Sequence, residues 1–207
     1  MASWGDMRSS GTRQAATEAR RAQIASAAIA VLAERGYAET TFEAICERAG
    51  LSSKRLITYH FASKDRLLEA VVEQVVADAA AFMRPALDAA AGARAQLEAF
   101  IRANLAFVAR HPGHVRAVRQ IAFNQAPVGG QERDAALARL AGLLADGQRT
   151  GAFRAFDPAV MAAALRACLD TMAERVADGL DADACADELV ELFDRATRAD
   201  PSPGRPV

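Results

Sequence analysis

Apolar side chains recur at helical spacing along nearly the whole chain. Ile24, Ala27, Ala28, Val31 and Leu32 form one stripe and predict a helix over about 17–35. Glu18 suits its first turn, and Gly36 suits the left-handed residue that follows a helix end. Phe42, Ile45, Cys46 and Ala49 repeat the i, i+3, i+4, i+7 set on a shorter helix that Gly50 ends. Thr40 and Glu43 have capping-box spacing, with Thr40 expected to accept from the Glu43 amide while Glu43 reaches back. Ser52 is the expected N-cap of another short helix, running to about His60 and held to its neighbours by Leu56, Ile57 and Phe61. Ser63 then opens a long helix through Leu67, Leu68, Val71, Val72, Val75 and Val76 to about Phe82. Beyond Pro85, further helices are predicted at about 94–110, 113–124, 132–148, 157–178 and 182–198. The last two carry clear stripes, Leu165, Cys168, Leu169, Met172 and Val176 on one, and Cys185, Leu189, Leu192 and Phe193 on the other.

The expected architecture is therefore all-α. A flexible arm (1–16) precedes a three-helix unit (17–63), and two short helices around a glycine turn have the helix-turn-helix arrangement. A helical body (64–199) follows, entered by the linking helix 64–83, and the Pro-rich residues 200–207 are expected to fray.

Composition narrows the class. Alanine is abundant, and no stretch of about 18 uncharged apolar residues exists to cross a membrane. The first ten residues carry Asp6 and Arg8 and lack an apolar secretory core, so a cytoplasmic protein is expected. Cys46, Cys168 and Cys185 each fall within a helical apolar pattern and read as reduced thiols filling small core gaps. The formal charge of −1 hides an asymmetry, because residues 1–66 hold ten Lys/Arg against seven Asp/Glu and the remainder is acidic. The front of the chain is the part suited to meet phosphate.

Lys54 and Arg55 stand in the first turn of a short helix, where positive charge opposes the helix dipole by about 0.3–1 kcal/mol per residue. No acid near them in sequence offsets this, and an anionic partner such as DNA would. Arginine can also read guanine with its planar fork, and Thr58 can touch a base edge or a thymine methyl. The alternative is a bare basic surface helix, or a protein-protein interaction module built on the same helix-turn-helix.

Order and context decide between them. Gly36-Tyr37, Thr40-Thr41-Phe42, Ala49-Gly50-Leu51-Ser52, Tyr59-His60-Phe61 and Ser63-Lys64-Asp65-Arg66-Leu67-Leu68 follow one another within a short span. This run, over about residues 18–70, closely resembles the N-terminal signature of the TetR (tetracycline repressor) family of transcriptional regulators. The resemblance implies an all-helical homodimer, a palindromic double-stranded DNA operator, repression, and control by a small-molecule effector. It places Thr40 and Thr41 on phosphate, and Ser52, Ser53, Lys54, Arg55 and Thr58 on the groove side of the reading helix. Tyr59 and His60 would contact the backbone, and Lys64 would grip a flanking phosphate. One departure is the Ser52-Ser53 pair, where the family commonly has a single residue; it leaves open whether Lys54 or Arg55 faces the bases.

The body is less specific. Phe100, Asn104, Phe107, Gln120, Phe123, Asn124, Met161, Cys168 and Met172 mix aromatics, methionines and amides that would suit an apolar effector, or would simply fill the core. The last two helices are the expected dimer contact. His111 and His114 flank Pro112-Gly113 and read as exposed loop residues, since zinc needs three or four ligands. Asp170, Thr171, Glu174 and Arg175 read as a salt-bridged polar patch. No catalytic constellation, metal site or cofactor motif is evident, and no enzymatic activity is expected.

Overall fold

The computed structural model describes residues 4–124 and 130–199, with side chains over 13–124 and 134–199. Among the described residues there are nine helices: α1 (Trp4–Arg35), α2 (Phe42–Arg48), α3 (Arg55–His60), α4 (Lys64–Ala89), α5 (Ala93–Arg110), α6 (Pro112–Asn124), α7 (Gly130–Arg149), α8 (Pro158–Ala177) and α9 (Ala182–Thr197). The tail expected to fray lies outside the described residues.

Two expectations about helix ends need correction. α1 begins at Trp4, so residues assigned to a flexible arm are helical. Glycine and serine propensities are weak priors there, and the Gln14 amide donating to the Glu18 carboxylate at 3.1 Å is an i, i+4 link that supports the turn. α4 runs through Pro85 to Ala89 instead of ending near Phe82. The carbonyl that Pro85 leaves without a donor is that of Ala81, which is exposed and open to solvation.

The chain divides into two compact units, Met1–Val76 with Arg116–Gly129, and Ala77–Val115 with Gly130–Val207. In the first, Ile24, Ala28, Val31 and Leu32 of α1 share a core with Ile45, Ile57, Phe61, Leu67, Leu68 and Val71, closed by Ala117 and Ile121 of α6. Gly36 ends α1 at φ +80°, and its amide donates to the Leu32 carbonyl at 3.1 Å, as the sequence predicts.

In the second unit α5 packs against α7, α8 and α9. Leu97, Ile101, Leu105 and Val108 meet Leu140, Leu144, Leu165, Leu169, Leu189 and Phe193. Asp157 caps α8, its carboxylate accepting from the Ala159 and Val160 amides, and Asp181 caps α9 in the same way. One approach is unusually close. Gly147 of α7 lies under the ring of Phe153, where a Cβ would stand 2.1 Å from Cδ2.

Candidate nucleic-acid interface

The reading helix is short, so its neighbours must hold it. Ile57 is fully buried and Phe61 nearly so, while Arg55, Leu56, Thr58 and Tyr59 are exposed. Leu56 therefore does not help anchor the helix; Ile57 and Phe61 do. The Ser52-Ser53 pair is resolved locally. Lys54, not Ser52, is the N-cap residue of α3 and has no side-chain cap; Ser53 Oγ accepts from the Arg55 amide at 3.2 Å in the turn before it, and Ser52 is left exposed.

Arg55, Thr58 and Tyr59 occur at i, i+3 and i+4 and share one open face. Tyr59 is 81% exposed, a state an aromatic ring seldom keeps without a partner. Its ring meets the half-buried His60 edge-on at 5.1 Å. Burial, then repulsion from Arg21 and Arg20, holds the His60 imidazole below its ordinary value and favours the neutral ring.

Lys54 does not face outward alone. Its Nζ donates to Glu43 Oε1 at 2.6 Å, which supplies the acid that sequence proximity had not revealed. Glu43 is available because the cap of α2 differs from the predicted box. Thr41, not Thr40, is the N-cap, accepting from the Ala44 amide at 3.1 Å. Thr40 is 1% exposed and donates to the Gly36 carbonyl at 2.7 Å, so its hydroxyl is committed to the fold and a phosphate role for it is withdrawn. Thr41 remains at the surface. Lys64 is half-buried, donating to the Tyr37 carbonyl at 3.3 Å and lying 4.3 Å above the Tyr37 ring.

Sequence reasoning missed the groups that position the reading helix from behind. Arg21 of α1 donates to the His60 carbonyl at 2.5 Å and stacks 4.3 Å over the Phe61 ring, closing the C-terminal end of α3. Gln23 donates to the Ala49 carbonyl at 2.9 Å at the end of α2. Gln120 of α6 accepts from the Tyr37 amide at 3.3 Å. Arg21 borders the buried stripe that begins at Ile24, which is the only local signal it gave.

The effector shortlist does not form one described group. Gln120, Phe123 and Asn124 belong to the first unit, the other six to the second. Phe123 is 89% exposed, and Asn124 donates to the Gln120 carbonyl. Phe100, Met161, Cys168 and Met172 pack against the second core. Within that unit a groove of about 590 Å³ is lined by Phe82, Pro85, Glu98, Arg102, Asp183 and a floor of alanines, none of them on the shortlist. His111 is the single residue between α5 and α6 and His114 lies inside α6, and both are half-buried where exposed loop residues were expected. His114 Nε2 lies 3.1 Å from Asp78 Oδ2, and both imidazoles pack on Phe107. Asp170 pairs with Arg166 at 2.6 Å, and all three cysteines are free and half-buried.

Residues 24–71 match the family model described as bacterial regulatory proteins, tetR family. A TetR-like transcriptional regulator from Rhodococcus sp. RHA1 has 30% identity and a TM-score of 0.69, covering 86% of this chain and 94% of that one. The chain belongs to the TetR family. The curated HTH-type transcriptional regulator BetI of Paraburkholderia phymatum is 35% identical over 88 residues, 42% of this TetR-family chain and 44% of the relative. The matched stretch thus spans less than half of that relative's length. A regulator from Saccharomonospora viridis, solved in complex with choline, has 24% identity and a TM-score of 0.73 over 88% of this chain and 99% of that one, a likeness of fold alone. No helix among the described residues of this TetR-family chain is long and apolar enough to cross a membrane.

Proposed function

We propose that this chain is a transcriptional repressor that binds a palindromic operator as a homodimer and is controlled by a small-molecule effector. The observation that carries the reading is α3. Its Ile57, with Phe61 just past its end, is buried in the first core, which leaves Arg55, Thr58 and Tyr59 together on an open face. A helix held in this way can enter a major groove, Arg55 and Thr58 facing base edges while Tyr59, His60 and Lys64 follow the phosphates. Two copies joined through α8 and α9 would place their reading helices in successive grooves, about 34–36 Å apart. Exposed Val160 on α8 and Leu192 on α9, 66% and 53% accessible, support that contact.

Control by an effector requires a ligand that binds the DNA-competent and incompetent shapes unequally. The helical second unit is the part suited to it, and the fold neighbour solved with choline is a precedent for a small molecule bound in this fold.

The test is selection of bound sequences from a random duplex pool with purified protein at two salt concentrations. A palindrome with salt-sensitive affinity is the expected result, and Thr58→Ala is expected to change which palindrome is preferred. No enrichment at low salt overturns the reading, and salt-insensitive capture of a protein partner replaces it.

A further inference from the structure

Glu43 lies in the first turn of α2 and Lys54 opens α3, and their ion pair bridges the fronts of the two short helices. The N–O distance is 2.6 Å, and the side chains are 64% and 62% exposed, so the pair sits on open surface. Its neighbour in sequence is Arg55, and Thr58 follows on the same helix. Thr41 caps α2 through the Ala44 amide, and the Glu43 carboxyl, besides meeting its own backbone amide in that first turn, reaches across to Lys54. The Glu43 carboxyl is held below the ordinary carboxylate range, first by the hydrogen bond from Lys54, and Lys54 is raised in turn. Both partners therefore stay ionised through the neutral range.

We propose that Glu43 is a positioning residue that masks the charge of Lys54, leaving Arg55 as the cation that the front of α3 offers to DNA and holding down non-specific affinity. This rests on the DNA-reading function proposed above. The reasoning is electrostatic. Binding that ignores sequence comes almost wholly from cations that neutralise phosphates and release counterions, each adding about 0.9 to the log–log salt slope. A lysine is a compact point charge on a flexible stem. Held at 2.6 Å by a carboxylate, it forms a neutral pair and adds little to that slope unless the pair opens. An acid placed beside the reading face thus lowers affinity for every sequence while leaving the base-reading groups of α3 where they are.

The test uses the full-length chain and a mixed-sequence duplex, titrated by anisotropy between about 50 and 200 mM salt. Four proteins are compared: the parent, Glu43→Gln, Lys54→Gln and the double variant. Glu43→Gln is expected to bind more tightly, with a salt slope steeper by about 0.9, so its advantage shrinks about 3.5-fold across that range. Lys54→Gln is expected to lower the slope by about 0.9 in the Glu43→Gln background and by clearly less in the parent. A parental slope for Glu43→Gln, or equal decrements from Lys54→Gln in both backgrounds, overturns the masking and leaves the DNA reading intact. A parent that shows no salt-dependent binding to any duplex overturns the DNA reading, and the masking with it.

Discussion

Gly147→Ala sets two well-characterised effects against each other in the second unit. Gly147 is buried near the end of α7, and alanine there would ordinarily stabilise the helix by about 1 kcal/mol. The added Cβ, however, would stand 2.1 and 2.3 Å from two ring carbons of Phe153 and 2.9 Å from the Ala93 Cβ. Ordinary carbon contacts are about 3.5–4.0 Å, so the ring must retreat by more than an ångström. It has little room to do so. Phe153 is 3% exposed, and its own amide donates to the Gly147 carbonyl at 3.1 Å, which ties ring and glycine together through the turn. Overpacking costs of this kind run to about 3 kcal/mol. Less the helix gain, a net loss of about 2 kcal/mol remains, or a melting temperature lower by about 4–8 °C for a chain of this size. Thermal melts followed by far-UV circular dichroism measure this. The Phe153→Ala background supplies the control: once the ring is gone, the same glycine-to-alanine change should be neutral or stabilising. A raised melting temperature for Gly147→Ala alone would falsify the reasoning, because it would mean the ring yields freely and helix propensity decides.

Other perturbations follow from the first unit and from the histidines. Arg21→Ala removes a charge-assisted hydrogen bond and a ring contact at the end of α3, together about 2 kcal/mol, and should weaken operator binding tenfold or more; parental affinity would show that α3 holds itself. Lys64→Ala should weaken binding to all sequences and flatten the salt slope by about 0.9, and an unchanged slope would confine Lys64 to its Tyr37 contacts. His111 is held below its ordinary 6.5, chiefly by burial and then by His114, with Asp78 opposing. The folded chain therefore refuses a proton that the unfolded chain accepts. That leaves stability unaffected above about pH 6.5 and lowers it progressively below. Denaturant midpoints across this window should fall less steeply for His111→Gln than for the parent, and parallel profiles would contradict the assignment.

Much of the fold was legible because burying an apolar stripe is a local, periodic demand. α5, α6, α8 and α9 lie within a few residues of the expected ranges 94–110, 113–124, 157–178 and 182–198. The order of motifs from Gly36 to Leu68 was also enough to point to the family. What escaped depends on neighbours distant in sequence. The Glu43–Lys54 pair spans two helices, and Arg21 meets a carbonyl 39 residues away. Thr40 and Thr41 are equivalent as sequence, yet one is sealed under Gly36 and the other caps α2, because only the turn geometry tells them apart. For the effector shortlist, aromatic and methionine positions on helices look alike whether they fill a core or line a pocket. Phe123, fully on show, and Phe107, stacked on His111, illustrate how far apart such residues can end up.

The division into two units is also a division of chromophores. The single tryptophan and both tyrosines, Trp4, Tyr37 and Tyr59, fall in Met1–Val76, while the second unit has phenylalanine as its largest aromatic. Intrinsic fluorescence thus reports on the unit that carries the reading helix and is silent on the other, whereas the amide signal weighs both. Followed side by side through one unfolding transition, the two signals distinguish a molecule that comes apart in a single event from one whose units melt in turn. A lesion such as Gly147→Ala would then move the amide curve and leave the emission curve in place wherever the units unfold independently.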